Sequence, residues 1–161
     1  MPSILRPETL EQLIVFQRDE LTEYHIYQRL ARQVKGEHNQ KLLQKIADDE
    51  LRHHDFYQEY THQKVEPERW RIFKYYWIAR LFGLTFGLKL MEKGEEQAQN
   101  AYHKLSGEIP ELQKIADEEE QHEDQLLNLI AEERLNYVSS IVLGLNDALV
   151  ELTGTLAGLT F

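Results

Sequence analysis

One phrase is written twice in this chain. KIADDELRHHD occupies Lys45 to Asp55, and KIADEEEQHED follows sixty-nine residues later, from Lys114 to Asp124. Lys, Ile, Ala, Asp, Glu, His and Asp fall at equal positions in both copies. Residues three and four apart on an α-helix lie on one face, so the glutamate and histidine of each Glu-x-x-His look the same way. The isoleucine four residues before each glutamate shares that face. Two helices with the same polar task are expected, and holding a metal ion is a task that needs carboxylate and imidazole together.

The rest of the chain reads as helix too. Only four prolines and eight glycines interrupt it, and no run alternates like a half-buried strand, so the expected fold class is all-α. Helix A is expected over Pro7 to Lys35, closed by Gly36, and helix B over Glu37 to His62. After Glu66-Pro67 comes a long third segment, Glu68 to Leu105; Gly107 and Pro110 end it, and helix D covers Pro110 to Asn136. The aromatic stretch RWRIFKYYWIARLFG, Arg69 to Gly83, separates helix B from the acidic half of helix C. Arg71, Lys74 and Arg80 interrupt it, which argues against a membrane span and for packing on the helices or on a second subunit, ahead of an interfacial membrane role.

Phase decides whether a carboxylate meets water or core. Helix A lines up Leu13, Phe16, Glu20, Tyr24 and Tyr27; helix B lines up Leu43, Ile46, Glu50, His53 and Tyr57. Helix C lines up Leu81, Leu84, Leu88, Met91 and Glu95, with Glu92 beside Glu95; helix D lines up Leu112, Ile115, Glu119, His122 and Leu126. Each helix thus places acid on its apolar face. An unpaired buried carboxylate is strongly unfavourable, or takes up a proton instead. Four such faces make sense around a cation. One glutamate from each of two helices, plus Glu-x-x-His from two others, is the ligand set of ferritin-like di-iron bundles. Here Glu20 and the Glu92/Glu95 pair are the single contributors, and Glu50/His53 and Glu119/His122 the motifs. Imidazole with carboxylate suits iron or manganese. Asp48, Asp49, Glu118 and Glu123 are expected as surface charge or as support for the ligands. His54 adjoins its motif but points aside, while His25, His38, His62 and His103 belong to no motif and are expected to be exposed.

Charge and composition narrow the classes further. Against 18 basic side chains stand 28 acidic ones, a formal net charge of -10. A nucleic-acid binder needs a basic face, and this balance instead favours cations. With no cysteine, disulfides, thiolate zinc sites and cysteine nucleophiles are excluded. From Val138 to Phe161 the chain carries no basic residue, and at about 1.5 Å per residue it is long enough for a bilayer of about 30 Å. The alternative for this stretch is an apolar helix packed on the bundle or on a partner.

At Glu20, Glu50-x-x-His53, Glu92-x-x-Glu95 and Glu119-x-x-His122 the sequence resembles a rubrerythrin-type ferritin-like domain, over about residues 8 to 135. The resemblance implies a four-helix bundle with a long B–C crossover, a homodimer, and two iron ions per subunit, for which manganese or zinc could substitute. It also implies that Glu50 and Glu119 bridge the ions. Rubrerythrins usually carry a four-cysteine rubredoxin module, which this chain lacks. GLNDALVELTG, Gly144 to Gly154, is in turn similar to the first membrane helix of the vacuolar iron transporter family, with Asp147 in the Gly-x-Asn-Asp context and Glu151 one turn on. In membrane-bound ferritins the two parts occur in this order. The resemblance divides the chain into a ferritin-like domain, 1–136, and the start of a transporter segment, 137–161, of a longer protein. It implies capture, and a possible oxidation, of Fe(II) by a bundle facing the cytosol for an attached membrane transporter. The rival readings are a soluble rubrerythrin-like peroxidase or oxidase, and a metal-free bundle that serves dimerisation.

Overall fold

The computed structural model describes residues 6–91 and 107–158. Among these residues every regular element is helical, in agreement with the all-α expectation. Helix α1 spans Pro7–Ala31 and α2 spans Glu37–Thr61. Helix α3 spans Arg69–Phe82, α4 occupies 84–91, and α5 spans Leu112–Gly158. Glu92, Glu95 and His103 lie outside the described residues.

Pro7 opens α1 at a position where a missing N–H is harmless. Helix α1 stops four residues before the expected Lys35, in a turn completed by Gly36 at φ +97°, a conformation glycine adopts without strain. That short connection folds α2 back along α1. Gln17 in the first half of α1 accordingly meets Thr61 at the end of α2. The start of α3 is then pinned to α1 by Thr22. Its hydroxyl donates to the Arg18 carbonyl at 2.7 Å and accepts the Glu68 amide N–H at 2.9 Å, which satisfies one of the free donors that begin α3. Arg71 adds ion pairs to Asp19 and Glu23. Farther along, Arg29 lies over the Tyr76 ring, so α3 runs in the direction of α1.

Two sequence expectations change here. The long third segment is broken at Gly83, whose φ of +93° ends α3 and turns the chain into α4. Gly87 then packs directly on Ala79: a Cβ at Gly87 would lie 2.8 Å from the Ala79 Cβ. Leu81, expected in the core stripe, is 70% exposed because the corner at Gly83 shifts the helical phase between α3 and α4. At the other end, helix D begins at Leu112 after a tight turn, two residues beyond Pro110. It continues through Asn136 without interruption, so the apolar C-terminal stretch is its extension and not an added helix.

The core has two apolar layers. One gathers Leu13, Phe16, Tyr57, Ile109, Leu112 and Ile115. The other gathers Ile26, Leu30, Ile46, Leu88, Leu126 and Ile130, among others. On α1, α2 and α5 alike, the residues between these layers are the acids and histidines singled out above. From residue 131 to 157 no residue of α5 is buried.

Because Gly87 has no room for a methyl group against Ala79, Gly87→Ala is expected to destabilise the chain by about 1–3 kcal/mol. Combining it with Ala79→Gly should return part of that loss. Denaturant unfolding in detergent measures both; an unchanged midpoint for the single variant would mean that the corner opens freely.

Candidate metal centre

Three helices deliver five ligand-type side chains to the polar layer. Glu20 comes from α1, Glu50 and His53 from α2, Glu119 and His122 from α5. Glu20, Glu50, His53 and His122 are each no more than 4% exposed. Glu119 keeps 18% of its side chain accessible, so solvent and ions reach the layer from its side. One ligand atom from each of Glu20, Glu50, His53 and Glu119 lies within 4.8 Å of all the others.

Both Glu-x-x-His carboxylates straddle the two imidazoles. Glu50 Oε2 is 3.7 Å from His53 Nδ1, and its Oε1 is 3.4 Å from His122 Nδ1. Glu119 Oε1 is 2.8 Å from His53 Nδ1, and its Oε2 is 3.8 Å from His122 Nδ1. Glu20 Oε2 is 3.8 Å from His53 Nδ1. The histidine rings lie 6.0 Å apart between their centroids. Yet Glu50 Oε2, Glu119 Oε1 and both Nδ1 atoms are buried with no hydrogen bond of acceptable geometry. Four inward-facing polar atoms left in this way fit a cation better than they fit one another.

The outer nitrogens are well served. His53 Nε2 donates to Glu118 Oε2 at 2.9 Å, and His122 Nε2 donates to Asp49 Oδ2 at 3.1 Å. Glu118 and Asp49 each directly precede a motif glutamate, so each repeat supplies the outer partner for the other's histidine. With one proton anchored on Nε2, it is the Nδ1 proton that a cation displaces, and the lone pair so freed points into the cluster, the tautomer a metal ligand requires. Arg52 bridges Asp49 and Glu118 from outside. The sequence grouped these two acids with surface charge or support; only the crossing of α2 and α5 identifies them as histidine partners.

Electrostatics say the same. Five carboxylates face two imidazoles and one guanidinium. Burial disfavours a charged imidazole at His53, but the Glu119, Glu20 and Glu50 carboxylates overcome this and hold its proton far above the usual histidine range. The same contest at His122, settled by Glu119 and Glu50, pushes its pKa up to about 10. Burial also raises Glu50, but the His122 and His53 imidazoles bring it below the ordinary carboxylate range. Glu20 goes the other way: burial and the Glu119 and Glu50 charges raise it well above normal. Without a cation, therefore, protons held on the imidazoles offset part of the layer's negative charge, and the remainder pushes Glu20 up. A bound cation takes over that role and releases them.

Other expected residues sort as follows. His54 does point away from the cluster, into a separate buried network: Gln17 lies 3.5 Å from its Nε2, and Gln17 in turn accepts from Thr61. His38 and His62 are exposed, whereas His25 is half-buried beside Tyr24. Asp147 and Glu151 lie on exposed α5 surface, far from the cluster in sequence. Comparison with known protein families, with curated proteins and with solved structures gives no match to this chain.

Removing an outer partner should loosen the centre without deleting a ligand. Asp49→Ala and Glu118→Ala are each expected to weaken Mn(II) or Fe(II) binding about 10–100-fold. Equal affinity in both variants, by calorimetric titration, would show that the outer hydrogen bonds do not orient the rings. The raised histidine also sets a pH dependence. Its folded pKa of about 10 exceeds the unfolded value, so its stabilisation of the metal-free chain is complete below about pH 6.5 and lost as pH rises through about 10. Thermal melts of chelator-treated protein should fall over that window; a flat profile would mean that the imidazoles are neutral.

Proposed function

We propose that this chain is an iron-binding, ferritin-like domain that captures Fe(II) at a dinuclear centre for an attached membrane iron transporter. In this reading α1, α2, α4 and α5 form the four-helix bundle and α3 is the long crossover. The observation that carries it is the division of each motif carboxylate between two imidazoles. Glu50 and Glu119 each turn one oxygen toward His53 and the other toward His122, as two bridging carboxylates would. His53 and His122 then each bind one ion through Nδ1, and Glu20 binds from α1. Glu92 and Glu95 complete the set by the family resemblance.

A ferrous pair held there can give electrons to dioxygen or peroxide, which makes the domain a candidate ferroxidase. The chain's own contribution is specific. Glu118 and Asp49 fix the imidazole tautomer, the two apolar layers exclude bulk water from either side, and Glu119 guards the accessible edge. The imidazoles hold protons that the incoming cations displace. The acidic surface raises the local concentration of Fe(II).

Of the described helices, α5 alone is long and apolar enough to cross a membrane. Its stretch 138–158 rises about 30 Å, the thickness of a hydrocarbon core. We assign that stretch to the membrane and the bundle to the cytosol, following the resemblance to membrane-bound ferritins. A second copy is expected to cover the flank of α3, where Trp70, Phe73 and Trp77 form an exposed ladder with centroids 5.8 and 6.1 Å apart.

Anaerobic Fe(II) titration tests the assignment. Two tightly bound ions per subunit are expected, with loss of both in Glu50→Ala or Glu119→Ala and in the His53→Ala/His122→Ala double variant. No saturable binding by a folded wild-type chain would leave the repeated phrase as a buried ion-pair layer. Continuous turnover of peroxide with an electron donor, instead of a single stoichiometric oxidation, would favour the peroxidase reading.

A further inference from the structure

Directions of the helices give this domain two unlike ends. Helix α5 crosses α2 in the opposite sense: Glu118 meets Arg52, His122 meets Asp49, and Glu133 accepts from Asn39. It therefore leaves the bundle beside the α1–α2 turn. Helix α3 runs toward that same end, where Ala79, Arg80 and Leu84 line a groove with Leu30, Gln33 and Val34. The corner between α3 and α4 then meets α5 directly. Phe82, Gly83, Leu84 and Thr85 share an open cleft with Glu133, Arg134, Tyr137 and Val138, at the level where the apolar run begins.

Three properties of this end point to one occupant. First, Phe82 is 68% exposed, Leu81 70% and Phe86 53%, and the Phe82 and Phe86 rings lie 5.6 Å apart. These are bulky apolar groups beside a helix that is itself uncovered from this level onward. Second, the end is basic although the chain is strongly acidic. Residues 76–91, the part of α3 and α4 that lies at this end, hold two basic side chains and no acid. Arg32, Lys35, Arg80 and Arg134, from three different segments, are all exposed around the exit of α5. Of the acids there, Glu37 is paired with Lys41, Glu133 accepts from Asn39, and Glu132 is exposed two residues before Arg134. Third, the opposite end carries more acid than base: Glu8, Glu11, Glu59, Glu66 and Glu111 are exposed there against Arg6, Lys64 and Arg69. Aromatic and apolar tips ringed by arginine and lysine, next to a membrane-length helix, match a membrane interface: rings enter the headgroup boundary and cations meet lipid phosphates.

We propose that the α3–α4 corner is a lipid-contacting foot, which inserts Leu81, Phe82 and Phe86 into the headgroup–acyl boundary of an anionic leaflet beside the spanning part of α5. Arg32, Lys35, Arg80 and Arg134 rest on the phosphates around it. Two points of attachment, the helix and the foot, then fix the bundle's rotation about α5, which a single continuous helix leaves free. The proposal rests on the membrane assignment of α5, and its test separates the two.

The chain has no cysteine, so single cysteine variants can carry a spin label without background. Phe82→Cys, Phe86→Cys, Leu145→Cys and Glu59→Cys are each labelled and reconstituted in nanodiscs of phosphatidylcholine and phosphatidylglycerol. Accessibility to dioxygen, which partitions into lipid, is compared with that to a water-soluble nickel chelate. Labels at 82 and 86 are expected to favour dioxygen several-fold over the label at 59, as the label at 145 does. A lipid signature at 145 with a water signature at 82 and 86 would overturn the foot and leave the membrane helix standing. A water signature at 145 would remove the membrane assignment and the foot with it. Dipolar broadening between labels at 82 in separate copies would give this corner to a subunit contact and overturn the lipid proposal.

Discussion

Carboxylates buried between apolar layers demand positive charge, and this demand organises the molecule. Glu20, Glu50 and Glu119 sit inside the packed helices, with Asp49 and Glu118 at the rim. The protein supplies two imidazoles and Arg52, too little to balance five acids. In the metal-free chain protons held on the histidines offset part of that charge, and what is left over raises Glu20. A cation removes the need for them. The two apolar layers flanking the acids are what make the demand severe, because they deny the carboxylates the water that would otherwise solvate them.

The duplicated phrase turns that demand into geometry. Its two copies lie on helices that cross in opposite senses, so they face each other with near two-fold symmetry. Glu50 answers Glu119, His53 answers His122, and Asp49 answers Glu118. The residue before each motif glutamate reaches the far histidine, which lets one eleven-residue pattern supply inner ligand, imidazole and outer partner twice over. A lone copy could offer only one glutamate and one histidine from one side.

Polarity along the bundle follows from the same helix directions. One end collects the acidic start of α1 and the finish of α2. The other collects the α1–α2 turn, the glycine-hinged corner and the exit of α5, and with them the exposed cations and aromatic rings. Ion-attracting charge thus lies at one end and at the cluster's accessible edge, and lipid-compatible groups lie where the long helix emerges.

Much of this was legible in the chain itself. Period and spacing established that the segments are helical, that Glu20, Glu50, His53, Glu119 and His122 fall on apolar faces, and that His54 does not. Those are local facts, set by 3.6 residues per turn. The break at Gly83 was not legible, because glycine within an apolar helix is compatible with either a bend or a continuous run, and close packing on Ala79 decided between them. Nor could the sequence show that α5 is a single helix of 47 residues, since its polar and apolar halves have no breaker between them and equally none that was expected. The roles of Asp49 and Glu118 depend on which helix crosses which, and in what sense. The basic end is similar: by sequence only Arg134 adjoins the apolar run, and folding alone brings Arg32, Lys35 and Arg80 beside it. Sequence determines what each face carries; the crossing of helices determines what each face meets.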